Sequence, residues 1–75
     1  MTIDEAKKAI EILRGYGAND DQIAKSFAMM FINDEIDENV LEALMHVLGH
    51  ELTDEFKALS SDQKKINLRR IYKIR

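Results

Sequence analysis

The sequence lacks several residue types on which small proteins often depend. Its 75 residues include no cysteine, no proline and no tryptophan, and only three glycines. Without cysteine, neither a disulfide framework nor a thiolate zinc site is available. No apolar run approaches the ~18 residues of a membrane span, and charged residues near the start argue against a secretory signal. These absences predict a cytoplasmic protein that has no membrane partner.

The length and composition predict one small helical domain. A chain this short buries only about 60% of the surface that its unfolded form exposes, so we expect a stability of a few kcal/mol. Alanine, leucine, glutamate, lysine and methionine are plentiful, and all of them favour helix. No alternating polar and apolar run is long enough to predict a strand. We therefore predict a single all-α domain over residues 1–75, built as a compact bundle of four to five short helices.

Capping residues and glycines divide this domain into its helices. In a capping box, the side chains of two residues three apart bond to each other's backbone amides at a helix start. The pairs with this spacing are Thr2 and Glu5, Asn19 and Gln22, and Ser60 and Gln63. Asn33, Asp34 or Asp37 is expected to cap the third helix, and Thr53 the fourth. The predicted helices cover approximately residues 3–14, 20–32, 37–48, 54–59 and 62–73.

Apolar side chains surround the end of the second predicted helix. Because apolar residues lie on nearly every face, we expect this helix to be central. A helix in so small a domain seldom buries every face, so we also expect part of its end to meet a partner. The alternative is that other helices cover it on several sides. The predicted apolar contact consists of Met29, Phe31 and Ile32. The predicted acidic rim of this contact consists of Asp34, Glu35 and Glu38.

Charge is distributed unevenly along the chain. Residues 20–55 contain ten acids and one base, Lys25, whereas residues 63–75 contain six bases and no acid. The two regions can pair with each other or bind separate partners. A basic last helix suits the phosphates of a nucleic acid, and the acidic region suits a nucleic-acid mimic that acts as an inhibitor. The candidate nucleic-acid-binding residues are Lys64, Lys65, Arg69, Arg70 and Lys73.

The stretch HVLGHELTDEF, residues 46–56, resembles two known motifs. His50, Glu51 and Asp54 have the spacing of the zinc-protease signature, with aspartate in place of its second histidine. However, Gly49 is expected to end one helix and Thr53 to cap the next, so these residues form a corner that does not hold the two ligands one helical turn apart. Leu48 to Phe56 also resembles the helix linker of calmodulin-type EF-hand proteins. No window has the twelve-residue calcium loop, so the resemblance implies turn chemistry and no calcium site.

A weaker metal hypothesis remains on the third predicted helix. Glu42, His46 and His50 follow one another at steps of four residues, which places one carboxylate and two imidazoles on one helix face. The alternative is that both histidines are solvated or lie against the carbonyl end of that helix.

No constellation of residues predicts a reaction. Cysteine, a glycine-rich phosphate loop and a serine placed beside a histidine and an acid are all missing. We therefore expect a non-enzymatic protein without a cofactor, which acts as an adaptor or regulator by binding another protein or a second copy of itself. Nucleic-acid association through the last helix, nucleic-acid mimicry and weak metal binding are the alternatives.

Overall fold

Five helices make up the computed structural model, which describes residues 1–74. They are α1 (Ile3–Gly15), α2 (Asp20–Ile32), α3 (Glu38–Val47), α4 (Asp54–Lys57) and α5 (Ser61–Ile71). No strand occurs in the described residues. The prediction of a small all-α bundle is confirmed. The fourth helix is shorter than expected, since it ends at Lys57.

Each helix begins at a side chain that bonds to a free backbone amide. Thr2 with Glu5, and Asn19 with Gln22, form the expected capping boxes. Asp37, the last of the three candidates, caps α3. Ser60 accepts a bond from the Gln63 amide, but the return bond from Gln63 is missing from the hydrogen bonds of residues 1–74. These caps fix where the helices start, because four amides at each helix start have no partner within the helix.

Helix α2 occupies the centre of the bundle, as predicted. It packs against α1, α3 and α5, while α1 also contacts α3 and α4 contacts α5. Because neighbours lie on three sides, the buried residues of α2 extend around about half of the helix. The buried apolar core consists of Ala6, Ile10, Ile23, Ala24, Phe27, Ala28, Phe31, Ile32, Ile36, Val40, Leu41, Leu44, Met45, Leu48, Phe56 and Leu68.

Helix α3 ends at a left-handed turn that brings His50 back toward the bundle. Gly49 has φ of +76°, and the amide of His50 donates to the carbonyl of Met45 across 2.8 Å. This 6→1 bond is typical of a Schellman ending. The chain therefore changes direction between α3 and α4, and His50 lies at the corner, as predicted.

Replacing Gly49 by alanine is expected to lower the free energy of unfolding by about 1 kcal/mol, because a Cβ is strained at positive φ. A Cβ here meets no atom within 4 Å, so backbone strain is the only source of the loss. Gly15→Ala is the matched control. Gly15 lies in α1 without positive φ and also has open space, so this change is expected to be neutral or slightly stabilising. Urea unfolding of both variants measures the difference, and equal effects would contradict the assignment of strain to Gly49.

Candidate interaction site

The apolar end of α2 lies mainly inside the protein. Phe31 is 5% exposed and Ile32 is 8% exposed, whereas Met29 is 42% exposed. The burial of Phe31 and Ile32 therefore leaves little of the predicted apolar contact for a partner. The reason is that α1, α3 and α5 cover α2 from different directions. Met29 alone remains accessible to a partner.

Two of the three residues of the predicted acidic rim pair with lysines of α5. Lys64 Nζ donates to Glu38 Oε1 across 2.6 Å, and Lys65 Nζ donates to Asp34 Oδ1 across 2.7 Å. Lys64 is 5% exposed, so Glu38 provides a counter-charge for a buried ammonium group. Glu35 remains exposed. At these two pairs, the acidic region and the basic helix neutralise each other.

The five bases predicted to bind nucleic acid do not form one surface. Lys64 is buried beside Glu38, and Lys65 pairs with Asp34. The five bases therefore do not form a continuous track for phosphates. Arg69, Arg70 and Lys73 are exposed. The spacing of charges along α5 does not distinguish the inward from the outward positions.

The residues of the metal hypothesis have three separate partners. Glu42 pairs with Lys57 across 3.0 Å, and its hydrogen bond raises the pKa of Lys57. His46 Nδ1 lies 2.5 Å from Glu51 Oε1, while His50 contacts another region of the protein. Within residues 1–74, no group of three or more candidate ligands converges. The zinc-protease spacing also fails, since α3 ends before His50 and α4 begins at Asp54.

His50 instead connects three parts of the fold. Its Nε2 lies 2.9 Å from Asp21 Oδ1 at the start of α2. Its Nδ1 and the Tyr72 hydroxyl share a hydrogen bond of 3.0 Å at the end of α5, and the two rings stack with centroids 6.1 Å apart. The Tyr72 hydroxyl also contacts Met45 Sδ on α3, at 3.7 Å. We call Asp21, Met45, His50 and Tyr72 the His50 junction.

The His50 junction holds the Tyr72 hydroxyl in its protonated form. Burial, together with the nearby Asp21 carboxylate, raises the pKa of Tyr72 above its ordinary value. A nucleophilic tyrosine requires the opposite shift, toward the phenolate. The arrangement of acid, histidine and hydroxyl therefore joins three parts of the fold, and the raised pKa of Tyr72 disfavours the phenolate.

Two grooves adjoin the His50 junction, and Ile71 lies between them. One groove, of about 230 Å³, runs between α5 and the segment from His50 to Phe56. The other, of about 600 Å³, runs between the start of α2 and the end of α5. His50, Ile71 and Tyr72 line both grooves, and Ile71 is 60% exposed. We call this surface the Ile71 surface. The residues of the larger groove are Asn19, Asp21, Gln22, Lys25, His50, Ile71, Tyr72 and Lys73.

Sequence reasoning did not identify this site, and the sequence contains only one weak signal for it. The apolar residues of the last helix spread more widely than one stripe, so some of them must lie at the surface. The contacts of His50 join positions 22 and 29 residues apart in the chain. Helical periodicity reports only neighbours within a few turns, so it cannot reveal such contacts.

Replacing Tyr72 by phenylalanine is expected to lower the free energy of unfolding by about 1 kcal/mol, through loss of the hydroxyl bond to His50. The pKa of Tyr72 is higher in the folded protein than in the unfolded chain, where the pKa of tyrosine is about 10. The stabilisation that results is fully present below the unfolded pKa and is lost as the pH rises through the folded pKa. Alkaline titration of phenolate absorbance should therefore contain a late step that Tyr72→Phe removes. Retention of that step in the variant would contradict the assignment.

No family model, curated protein or solved structure matches this chain.

None of the helices in residues 1–74 combines the length and apolar character needed to cross a membrane.

Proposed function

We propose that this protein is a small non-enzymatic binding module that contacts another protein, or a second copy of itself, through the Ile71 surface. The observation that carries this proposal is the position of Ile71, which is 60% exposed between two grooves with polar rims. An apolar side chain of this kind, surrounded by polar groups, is typical of an interface anchor. We further propose that it acts in the cytoplasm, where a chain without cysteine needs no oxidising environment.

The chemistry of the His50 junction supports a binding role over a catalytic one. Both ring nitrogens of His50 lie at hydrogen-bonding distance from side chains of the protein itself. The raised pKa of Tyr72 opposes formation of a phenolate nucleophile. The junction instead fixes the end of α5 against α2 and α3, which makes the Ile71 surface rigid. Rigid surfaces lose less conformational entropy when they bind.

The direct test compares capture of cellular proteins by the wild-type chain and by Ile71→Asp. The control is Ile12→Asp, which places the same charge at an isoleucine of similar exposure on α1, outside both grooves. We expect the wild type and Ile12→Asp to retain the same protein, identified by mass spectrometry, and Ile71→Asp to lose at least roughly tenfold in affinity. Circular dichroism checks that both variants fold.

A homodimer gives a distinct result in the same experiment. In that case light scattering shows twice the chain mass for the wild type and Ile12→Asp, and a lower mass for Ile71→Asp. Equal capture and equal mass for all three proteins would contradict the proposal. Equal loss of capture in Ile71→Asp and Ile12→Asp would show that the contact is not specific to the Ile71 surface.

A further inference from the structure

The groove between α2 and α5 contains two cations that have no carboxylate partner among residues 1–74. Lys25 lies on α2 and Lys73 follows α5, and both line this groove. Neither lysine takes part in an ion pair among residues 1–74, and the same holds for Lys7, Lys8, Arg69 and Arg70. Lys25 and Lys73 differ from those four bases because they share one groove. Their placement on opposite sides leaves positive charge available to a ligand in the groove.

His50 contacts the acid that precedes one of these lysines by a helical turn. Asp21 precedes Lys25 by four residues on α2, a spacing at which an acid and a base commonly pair on a helix surface. The Asp21 carboxylate contacts His50 Nε2 instead, at 2.9 Å. The corner after α3 therefore engages one oxygen of Asp21, and no ion pair between Asp21 and Lys25 occurs in the described residues. The site depends on three segments that are distant in the chain.

The walls of the groove add apolar and amide groups to this charge. Ile71 and Tyr72 supply apolar surface beside the two lysines. Gln22 also lines the groove, and its side-chain oxygen accepts a hydrogen bond from the backbone amide of Asn19 across 3.0 Å. The Gln22 side-chain amide nitrogen can thus donate to a main-chain carbonyl of a ligand. A ligand that satisfies all of these groups has a carboxylate, an apolar side chain and a peptide backbone.

We propose that this groove binds an acidic peptide segment of a partner protein, in which an apolar residue adjoins an aspartate or glutamate. The apolar residue packs on Ile71 and Tyr72, and the carboxylate lies between Lys25 and Lys73. This inference rests on the proposed function and specifies its partner. A polyanion such as nucleic acid fits less well, because the groove offers only two lysines and also contains the carboxylate of Asp21. Two lysines can pair with one ligand carboxylate, but they do not form the continuous basic track that several phosphates need.

The test is a selection of phage-displayed random short peptides on the immobilised wild-type protein. Each enriched peptide is then measured against Lys25→Glu/Lys73→Glu. The matched control is Lys7→Glu/Lys8→Glu, which makes the same charge change at two exposed lysines of α1. We expect enriched peptides to place an acid beside an apolar residue. Their affinity should fall at least roughly tenfold in the groove variant and less than about twofold in the control.

Several results would overturn the inference. They are failure to enrich any peptide, enrichment without an excess of acids, or equal binding to both double variants. Binding of oligothymidylate that is lost only in the groove variant would also overturn it, because the groove would then be a nucleic-acid site. If a captured cellular protein depends on Ile71 but not on Lys25 and Lys73, the proposed function stands and this inference fails.

Discussion

Replacing Phe31 by aspartate is expected to unfold the protein. The ring of Phe31, on α2, is buried in the core, and removing a buried aromatic ring costs about 3–5 kcal/mol. The new carboxylate would have to be buried without a partner, which adds several kcal/mol. A domain of this size has a total stability of only a few kcal/mol, so the sum exceeds the whole. Circular dichroism should show loss of helix at room temperature.

Met29→Asp is the control for that experiment, because it makes a similar change on the same helix at an exposed position. We expect it to change the free energy of unfolding by no more than about 1 kcal/mol. A folded Phe31→Asp variant would show that the end of α2 is accessible. It would then restore Met29, Phe31 and Ile32 as a candidate partner contact.

Replacing Glu38 by alanine is expected to destabilise the protein by about 2 kcal/mol or more, because Lys64 would remain buried without its counter-charge. Lys64→Met fills a similar volume without charge, so we expect it to change stability by less than about 1 kcal/mol. In the Lys64→Met background, Glu38→Ala should have little further effect. Chemical unfolding of the two single variants and the double variant gives the coupling energy directly.

The second ion pair of α5 provides the matched control. Asp34 is 80% exposed, and exposed pairs contribute about 0–1 kcal/mol. Asp34→Asn is the suitable change, since Asp34 has φ of +59° and asparagine tolerates this conformation. We expect Asp34→Asn and Lys65→Met to couple by less than about 1 kcal/mol. A larger coupling here than at Glu38 and Lys64 would contradict the importance of burial.

These two ion pairs matter for the Ile71 surface because α5 carries it. The buried residues of α5 are Lys64 and Leu68 alone, whereas α2 buries six residues, all apolar. Polar contacts at Glu38, Asp34 and His50 therefore supplement the apolar packing that attaches α5 to the bundle. The position of the candidate site depends on charge pairing as well as on apolar packing.

The positions of the helices could be predicted from the sequence because local chemistry determines them. Thr2, Asn19, Thr53 and Ser60 each bond to an amide three residues later, and each begins a helix of the structure. Caps and apolar spacing act over a few residues, so one sequence contains the necessary information. The residues that end the helices are harder to predict from the sequence. Asp34 and Lys73 adopt the left-handed conformation at the ends of α2 and α5, where glycine is usual.

The site could not be predicted, because it depends on which helix faces are covered by others. Phe31 and Ile32 belong to an apolar ring that looks equally suited to a partner or to three neighbouring helices. His50 stood in a stretch that resembled a metal motif, and its real contacts, Asp21 and Tyr72, lie far from it in the chain. The sequence also does not distinguish the inward from the outward lysines of α5. Lys64 lies inside because it packs against Glu38, which is on another helix.

The most direct measurement is photo-crosslinking in living cells, with a photoreactive amino acid placed either at position 71 or at position 29. Both positions are exposed, but only position 71 lies between the two grooves. We expect position 71 to give one discrete crosslinked species, either with another protein or at twice the chain mass, and position 29 to give none. A discrete species from position 29 and none from position 71 would contradict the assignment of binding to the Ile71 surface.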